Sequence, residues 1–249
     1  MSFLSGRFGQ FEYFDAQLGK PDWRGKKVLD FGGNQGNILT DEGSTISRDH
    51  YWSIDVSRDA IEEGRAAFPE AHWIFYNRYN VQFNPTGIVG LEIPDIGEEF
   101  DYILSYSVFT HIGKEEMIAL VENLKRLLAD GGTLALTFID PHCVPWPESS
   151  GKTNLEWRLD WAKEDHPKIR IAVDDVLEQA RGTSWCAMTV GDLELSFDCD
   201  GWKQLEQRRG EEYYTFYTAE LMQDLFPRAL ILPPVKSEQH CCLIGKDAG

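Results

Sequence analysis

Short apolar runs alternate along this chain with stretches whose apolar positions recur every three or four residues. The first pattern predicts buried strands and the second amphipathic helices. KKVLDF (residues 26–31) reads as a first strand running into a glycine-rich turn, followed by strands at YWSIDV (51–56), HWIFY (72–76), FDYILS (100–105) and TLALTFI (133–139). Between them, residues 58–67 are rich in helix formers, with Ser57 placed to cap them and Pro69 to stop them. Residues 114–129 carry Met117, Val121, Leu124 and Leu128 on one helical face, with Gly131 and Gly132 closing it. Residues 37–47 are polar with at most a short helix, and 77–99 read as a loop. Near the end come a helix around 218–225, stopped by Pro227, and two strands, ALIL (229–232) and HCCLIG (240–245). Alternating strands and helices predict an α/β fold, a parallel sheet covered by helices on both faces.

Two segments break the rhythm. Residues 1–25 hold Phe3, Phe8, Phe11, Tyr13 and Phe14, which suits a short helix or lid packed on the main body and punctuated by Pro21 and Gly25. Residues 141–212 begin with Pro141, Pro145 and Pro147 and are rich in tryptophan (Trp146, Trp157, Trp161, Trp185, Trp202). A helix over 169–181 and a strand over 192–198 are expected within this insertion. The expected division is therefore a helical lid (1–25), a core (26–140 and 213–249) and an inserted cap (141–212).

Composition narrows the function. The 249 residues include 24 basic and 41 acidic side chains, a net charge of −17. Such a surface repels phosphate backbones and anionic lipid, so nucleic acid and membrane are not expected partners, and neutral or cationic small molecules suit it better. No apolar run reaches the roughly 18 residues of a membrane span. The N-terminus lacks the pattern of an export signal, so the expected location is cytoplasmic, with the five cysteines as reduced thiols. No metal is expected: Cys143 beside His142 has no partner at ligand spacing, and Cys241 and Cys242 alternate within a strand. Oligomeric state is unreadable.

The strongest chemical signal is Val28-Leu29-Asp30-Phe31-Gly32-Gly33-Asn34-Gln35-Gly36. Glycines at a strand-to-helix turn let backbone approach a ligand closely. The dinucleotide spacing G-x-G-x-x-G fails here, because Asn34 and Asn37 stand where glycines are required, and no phosphate loop is present. The segment resembles the first motif of class I S-adenosylmethionine-dependent methyltransferases, D-x-G-x-G-x-G: Asp30, Gly32 and Gly36 match, and Asn34 replaces the middle glycine. Asparagine is the non-glycine residue best suited to a left-handed backbone. Asp55, ending the second strand, matches the family's acidic residue that takes the cofactor's two ribose hydroxyls. The fourth strand, the helix after it, Gly131-Gly132 and the fifth strand follow in the family's order, so the resemblance covers roughly 26–140 and 214–246.

The resemblance implies a Rossmann-like seven-stranded sheet, last strand antiparallel, with a cap subdomain inserted after the fifth strand. It implies S-adenosylmethionine as cofactor and S-adenosylhomocysteine as product. The implied cofactor-binding residues are Asp30 (contacting the cofactor or bracing the turn), Gly32, Gly33, Asn34, Gly36, Asp55, Val56, Asn77 toward adenine, Ser105 and Tyr106. Candidate catalytic residues are His142, following Asp140 at the rim, His111, read as a base or a turn-fixing histidine, and Tyr106. Trp146 is the candidate pocket wall, and Asp165–His166 a second possible base pair. Tyr13 and Phe14 either close over the cofactor or anchor the packing. The implied reaction is methyl transfer by in-line displacement to a small molecule, short peptide or secondary metabolite. Competing readings are a non-catalytic S-adenosylmethionine-binding sensor or scaffold, non-methylating chemistry such as cyclisation, and a nicotinamide-dependent oxidoreductase.

Overall fold

The computed structural model describes residues 9–144, 151–165, 173–181, 184–189, 195–197 and 213–246. Its centre is a seven-stranded sheet. The elements run α1 (Gln10–Gln17), β1 (Val28–Phe31), α2 (Asn37–Thr40), β2 (Tyr51–Asp55), α3 (Arg58–Ala67), β3 (His72–Phe75), β4 (Phe100–Ser105), α4 (Lys114–Lys125) and β5 (Leu128–Phe138). Then come α5 (Asn154–Asp165), α6 (Val173–Ala180), β6 (Trp185–Thr189), β7 (Leu195–Phe197), β8 (Tyr213–Tyr217), α7 (Ala219–Leu225), β9 (Leu230–Leu232) and β10 (His240–Gly245). The sheet order is β3-β2-β1-β4-β5-β10-β9. The last strand, β10, runs antiparallel to both its neighbours, as expected.

Strand alternation divides the apolar residues between two cores. On one face Leu29, Phe31, Ile103, Leu134, Leu136 and Cys242 pack with Met117, Val121 and Leu124 of α4 and Met222 of α7. On the other, Val28, Tyr51, Leu104, Ala135 and Cys241 pack with Phe11, Tyr13 and Phe14 of α1, Ile38 of α2 and Ile61 of α3. The described part of the expected lid is thus built into a core: Phe14 is 1% exposed, and the Tyr13 hydroxyl, 2.9 Å from the Gln239 carbonyl, donates to it.

Several boundaries match their local signals. Ser57 caps α3 by accepting the Ala60 N–H at 3.3 Å, and β4 and β10 span the expected residues. One boundary is corrected. The helix expected over 114–129 stops at Lys125, and Leu128 opens β5 by pairing with Phe100. Gly131 and Gly132 do not end the helix. They form an irregularity inside β5, where Gly131 has φ +75° and a Cβ on Gly132 would lie 2.6 Å from the Phe100 carbonyl oxygen.

A second, three-stranded sheet has the order β7-β6-β8. The core, expected to resume at residue 213, first meets β8, which pairs with β6 instead. Strand β8 is moored to the body by Thr215 Oγ1, donating to the Phe109 carbonyl at 3.0 Å, and Tyr217 OH, donating to the Ile112 carbonyl at 2.6 Å. No helix among the described residues is long and apolar enough to cross a membrane.

Candidate cofactor and acceptor site

The carboxyl ends of β1, β2 and β4 open onto a cavity of about 410 Å³, where open α/β sheets place ligands. The glycine turn forms one wall. Gly32 (φ +77°) and Gly36 (φ +83°) hold left-handed backbone, and Asn34 does so at φ +51°, the conformation expected of it. The glycines answer first to the protein's own packing. A Cβ on Gly32 would lie 2.1 Å from Val108 Cγ2, one on Gly33 2.6 Å from Ser53 Oγ, and one on Gly36 2.8 Å from the Trp73 ring. Gly32 and Asn34 line the cavity; Gly33 and Gly36 shape the turn behind them.

Asp55 lies across from this turn. Its Oδ2 accepts the Asn34 N–H at 2.8 Å and its Oδ1 accepts the Ser57 N–H at 2.7 Å. Each oxygen keeps a further lone pair. Burial pushes the Asp55 pKa up, while N–H groups of Ser57, Asn34 and Val56 pull against it. Val56 lines the cavity beside it. Asp30, by contrast, sits beneath the turn at 2% exposure, accepting the Tyr51 hydroxyl at 2.7 Å. Burial raises its pKa to about 7, against the opposing Tyr51 hydrogen bond. Of its two expected roles, the geometry places it with the brace.

The opposite wall contains residues that sequence reasoning passed over. Asn77, expected to face adenine, does not line the cavity; its side-chain oxygen accepts from Asn84 Nδ2 at 3.1 Å, inside the loop after β3. Its neighbours Tyr76 and Arg78 line the cavity instead. Arg78 Nε donates to Glu116 Oε1 at 2.7 Å, tying this loop to the first turn of α4. Both side chains are largely buried, at 14% and 21% exposure. The sequence signal was faint: one basic residue within an uncharged stretch, its partner 38 positions away.

After β4 the expectations divide again. Ser105 is fully buried and does not reach the cavity; its hydroxyl donates to the Phe31 carbonyl at 3.0 Å, linking β4 to β1. Tyr106 does line the cavity, with its ring edge-on to Tyr13 and Phe14 at 5.5 and 6.0 Å. Tyr13 and Phe14 act as packing anchors for that ring and are not themselves lining residues. Ser107, the next residue, lines the cavity in a left-handed conformation, φ +60°. His111 also lines it, with its ring 5.7 Å from Phe83 and 5.1 Å from Tyr214 of β8. His142 departs from its expected place: it is exposed and does not line the cavity, and its backbone N–H donates to Asp140 Oδ1 at 2.8 Å. The other Asp140 oxygen accepts the Ala219 N–H at 2.9 Å, so this corner anchors the start of α7. Trp146 and His166 lie outside the described residues. Among the described residues, no cluster of three or more His, Cys, Asp or Glu is placed to hold a metal.

Known proteins resemble this chain in part of its sequence and in its fold. Residues 29–134 match a family model described as a methyltransferase domain. A curated relative, an uncharacterised protein of Rickettsia prowazekii (strain Madrid E), is 27% identical over 128 residues, covering 51% of this chain and 47% of that protein. The chain thus spans about half the length of the curated relative it matches. Among solved structures, S-adenosylmethionine-bound CalS10, an amino pentose methyltransferase from Micromonospora echinaspora, aligns with TM-score 0.52 at 15% identity, covering 96% of this chain and 92% of that one. The PH0226 protein of Pyrococcus horikoshii aligns with TM-score 0.50 at 14% identity, covering 94% and 87%. These two likenesses are of fold. Residues 29–134 thus resemble a methyltransferase domain, and the fold is one shared with S-adenosylmethionine-bound CalS10.

Proposed function

We propose that this chain binds S-adenosylmethionine in the cavity at the carboxyl ends of β1, β2 and β4 and transfers its methyl group to a small molecule, short peptide or secondary metabolite. Asp55 carries the reading. Its oxygens are pinned by the Asn34 and Ser57 N–H groups, and each retains a lone pair suited to one of two neighbouring hydroxyls. The cavity volume, about 410 Å³, falls within the roughly 300–1,000 Å³ usual for ligand pockets. The lining residues therefore fit the cofactor: Asp55 for the ribose, Gly32 and Asn34 as the turn beside it, and Val56, Tyr76 and Val108 as apolar wall.

When bound, S-adenosylmethionine supplies a methyl group on a positively charged sulfur, already open to displacement. The protein's part is then to align an acceptor and exclude water. Tyr106, Ser107 and His111 line the same cavity. Tyr214 of β8 contacts His111, and β8 pairs with β6 of the insertion, which supports reading 141–212 as a substrate cap beside this edge. The net charge of −17 favours neutral or cationic acceptors.

Calorimetry with S-adenosylhomocysteine tests the reading, using the wild type and Asp55→Ala. Micromolar binding, about −8 kcal/mol, that collapses in the variant is the expected result. A folded wild type that gives no heat and releases no cofactor on denaturation overturns it; heat with NADH instead revives the oxidoreductase alternative.

A further inference from the structure

Two described non-glycine residues that line the cavity hold left-handed backbone, Asn34 and Ser107. Asn34 belongs to the glycine turn. Ser107 belongs to no motif, yet a closed set of hydrogen bonds holds it in this uncommon conformation. Its N–H donates to Thr137 Oγ1 at 2.7 Å. Thr137 Oγ1 lies 2.5 Å from Gln239 Oε1, a separation suited to O–H···O and too short for N–H···O. Thr137 therefore gives its proton to Gln239, and the Gln239 amide presents Nε2 to Ser107 Oγ at 3.2 Å. Thr110 Oγ1 donates to the Ser107 carbonyl at 2.8 Å. The 3.1 Å contact between Ser107 Oγ and Thr110 Oγ1 is then satisfied by the Ser107 proton. Thr110, Thr137 and Gln239 are all buried, so this arrangement is not shared with bulk water.

A serine hydroxyl has one proton and two lone pairs. Here the proton goes to Thr110 and one lone pair takes the Gln239 N–H. One lone pair remains, and Ser107 lines the cavity. We infer that Ser107 Oγ accepts a hydrogen bond from the atom that is methylated, so that this acceptor atom carries an N–H, as in a primary or secondary amine. This rests on the methyl-transfer reading above.

The chemistry follows from the donor count. An acceptor atom without hydrogen, such as a thioether sulfur or a pyridine nitrogen, would turn a lone pair toward the lone pair of Ser107. A hydroxyl could also donate, but its attack needs a base, a part that would fall to His111 and that Ser107 cannot play. A neutral amine needs none. Its lone pair forms the new N–C bond as the C–S bond of the sulfonium breaks, and that bonding pair stays on sulfur. The nitrogen becomes a methylammonium and retains its hydrogens, one still donated to Ser107. Proton release to solvent precedes or follows the transfer.

Ser107→Gly is the informative variant, because glycine accepts the positive φ and loses the hydroxymethyl group alone. Crystals of the S-adenosylhomocysteine complex are expected to show a water within about 3.2 Å of Ser107 Oγ on the cavity side, lost in the variant. Labelled S-adenosylmethionine, offered with panels of primary and secondary amines, alcohols, phenols, thioethers and pyridines, is expected to mark amines only. Ser107→Gly should lower kcat on the amine at least tenfold while S-adenosylhomocysteine affinity stays within twofold. The inference is overturned by a wild-type Ser107 Oγ with no cavity-side partner, by label in an alcohol, phenol, thioether or pyridine, by amines left unmarked by a cofactor-binding protein, or by an unchanged kcat in the glycine variant. A wild type that binds no S-adenosylhomocysteine fails at the earlier step and removes the methyl-transfer reading itself.

Discussion

The two walls of the cavity are built by different means. On one side, Asn34, in the turn after β1, and Asp55, at the end of the neighbouring parallel strand β2, meet through a 2.8 Å hydrogen bond. The register that joins β1 to β2, Asp30 opposite Ser53, brings the two strand ends together. On the other side, Arg78 meets Glu116, and Ser107 meets Gln239 across 132 residues. The first wall is a local consequence of strand, turn and strand. The second exists only once α4 and the segment before β10 have docked. A site can thus combine a half that is written in a motif with a half that depends on long-range packing.

The largest expected effect falls on the motif wall. On the proposed function, Asp55→Ala removes two charge-assisted hydrogen bonds to ligand, each worth about 1.5–3 kcal/mol. Affinity for S-adenosylhomocysteine should fall on the order of a hundredfold or more by calorimetry. An unchanged affinity would shift the weight of binding to the other wall. Because Asp55 must be ionised to accept both hydroxyls, wild-type affinity should also weaken as pH falls through its raised pKa.

Asp30, under the same wall, should govern stability rather than binding. In the fold its carboxyl keeps its proton up to about pH 7, but in the unfolded chain only to about 4. Stability from this group is therefore whole below about pH 4 and is lost as pH rises through about 7. The full loss corresponds to at most about 4 kcal/mol, at roughly 1.4 kcal/mol per pKa unit. Asp30→Asn does not titrate and should gain on the wild type between pH 5 and 8. Urea midpoints at the two pH values check this, and parallel profiles would remove the buried carboxyl from the account.

On the packing-built wall, Arg78→Ala leaves Glu116 largely buried without its Arg78 partner. The expected cost is about 1–3 kcal/mol, below that of a fully buried pair. Denaturant unfolding of both single variants and the double variant isolates the coupling. Additive losses would mean that Arg78 and Glu116 merely lie close together. The smallest effect is expected at Asn34→Gly. The N–H that Asp55 accepts is backbone, and glycine holds φ +51° without strain. Stability should rise by up to about 1 kcal/mol with affinity unchanged; a loss of affinity would assign a role to the Asn34 side chain.

Legibility followed the range of the interaction. Helix α3 was readable from Ser57, its helix formers and Pro69, because caps and breakers act within a few residues. The end of α4 was not. Leu128 continues the helical spacing, yet its pairing with Phe100 makes it strand. At the site, Asp55 was readable from its strand end. Ser105 and Ser107 were not separable, since alternation and a positive φ decide which one reaches the cavity. His142 lies near the rim in sequence, but Asp140 uses both oxygens to hold the local backbone and the start of α7, and the imidazole faces outward.

By itself the sequence determined the alternation of strand and helix, the left-handed turn through Asn34, and the acidic residue that closes it. Each rests on patterns that repeat or act over a few residues. Only the tertiary structure decided that Asp30 braces the turn, that Arg78 and not Asn77 lines the far wall, and that Ser107 presents its remaining lone pair at the cavity. Those outcomes depend on burial and on hydrogen bonds between residues apart in the chain, and neither is set until the seven-stranded sheet and its covering elements are packed.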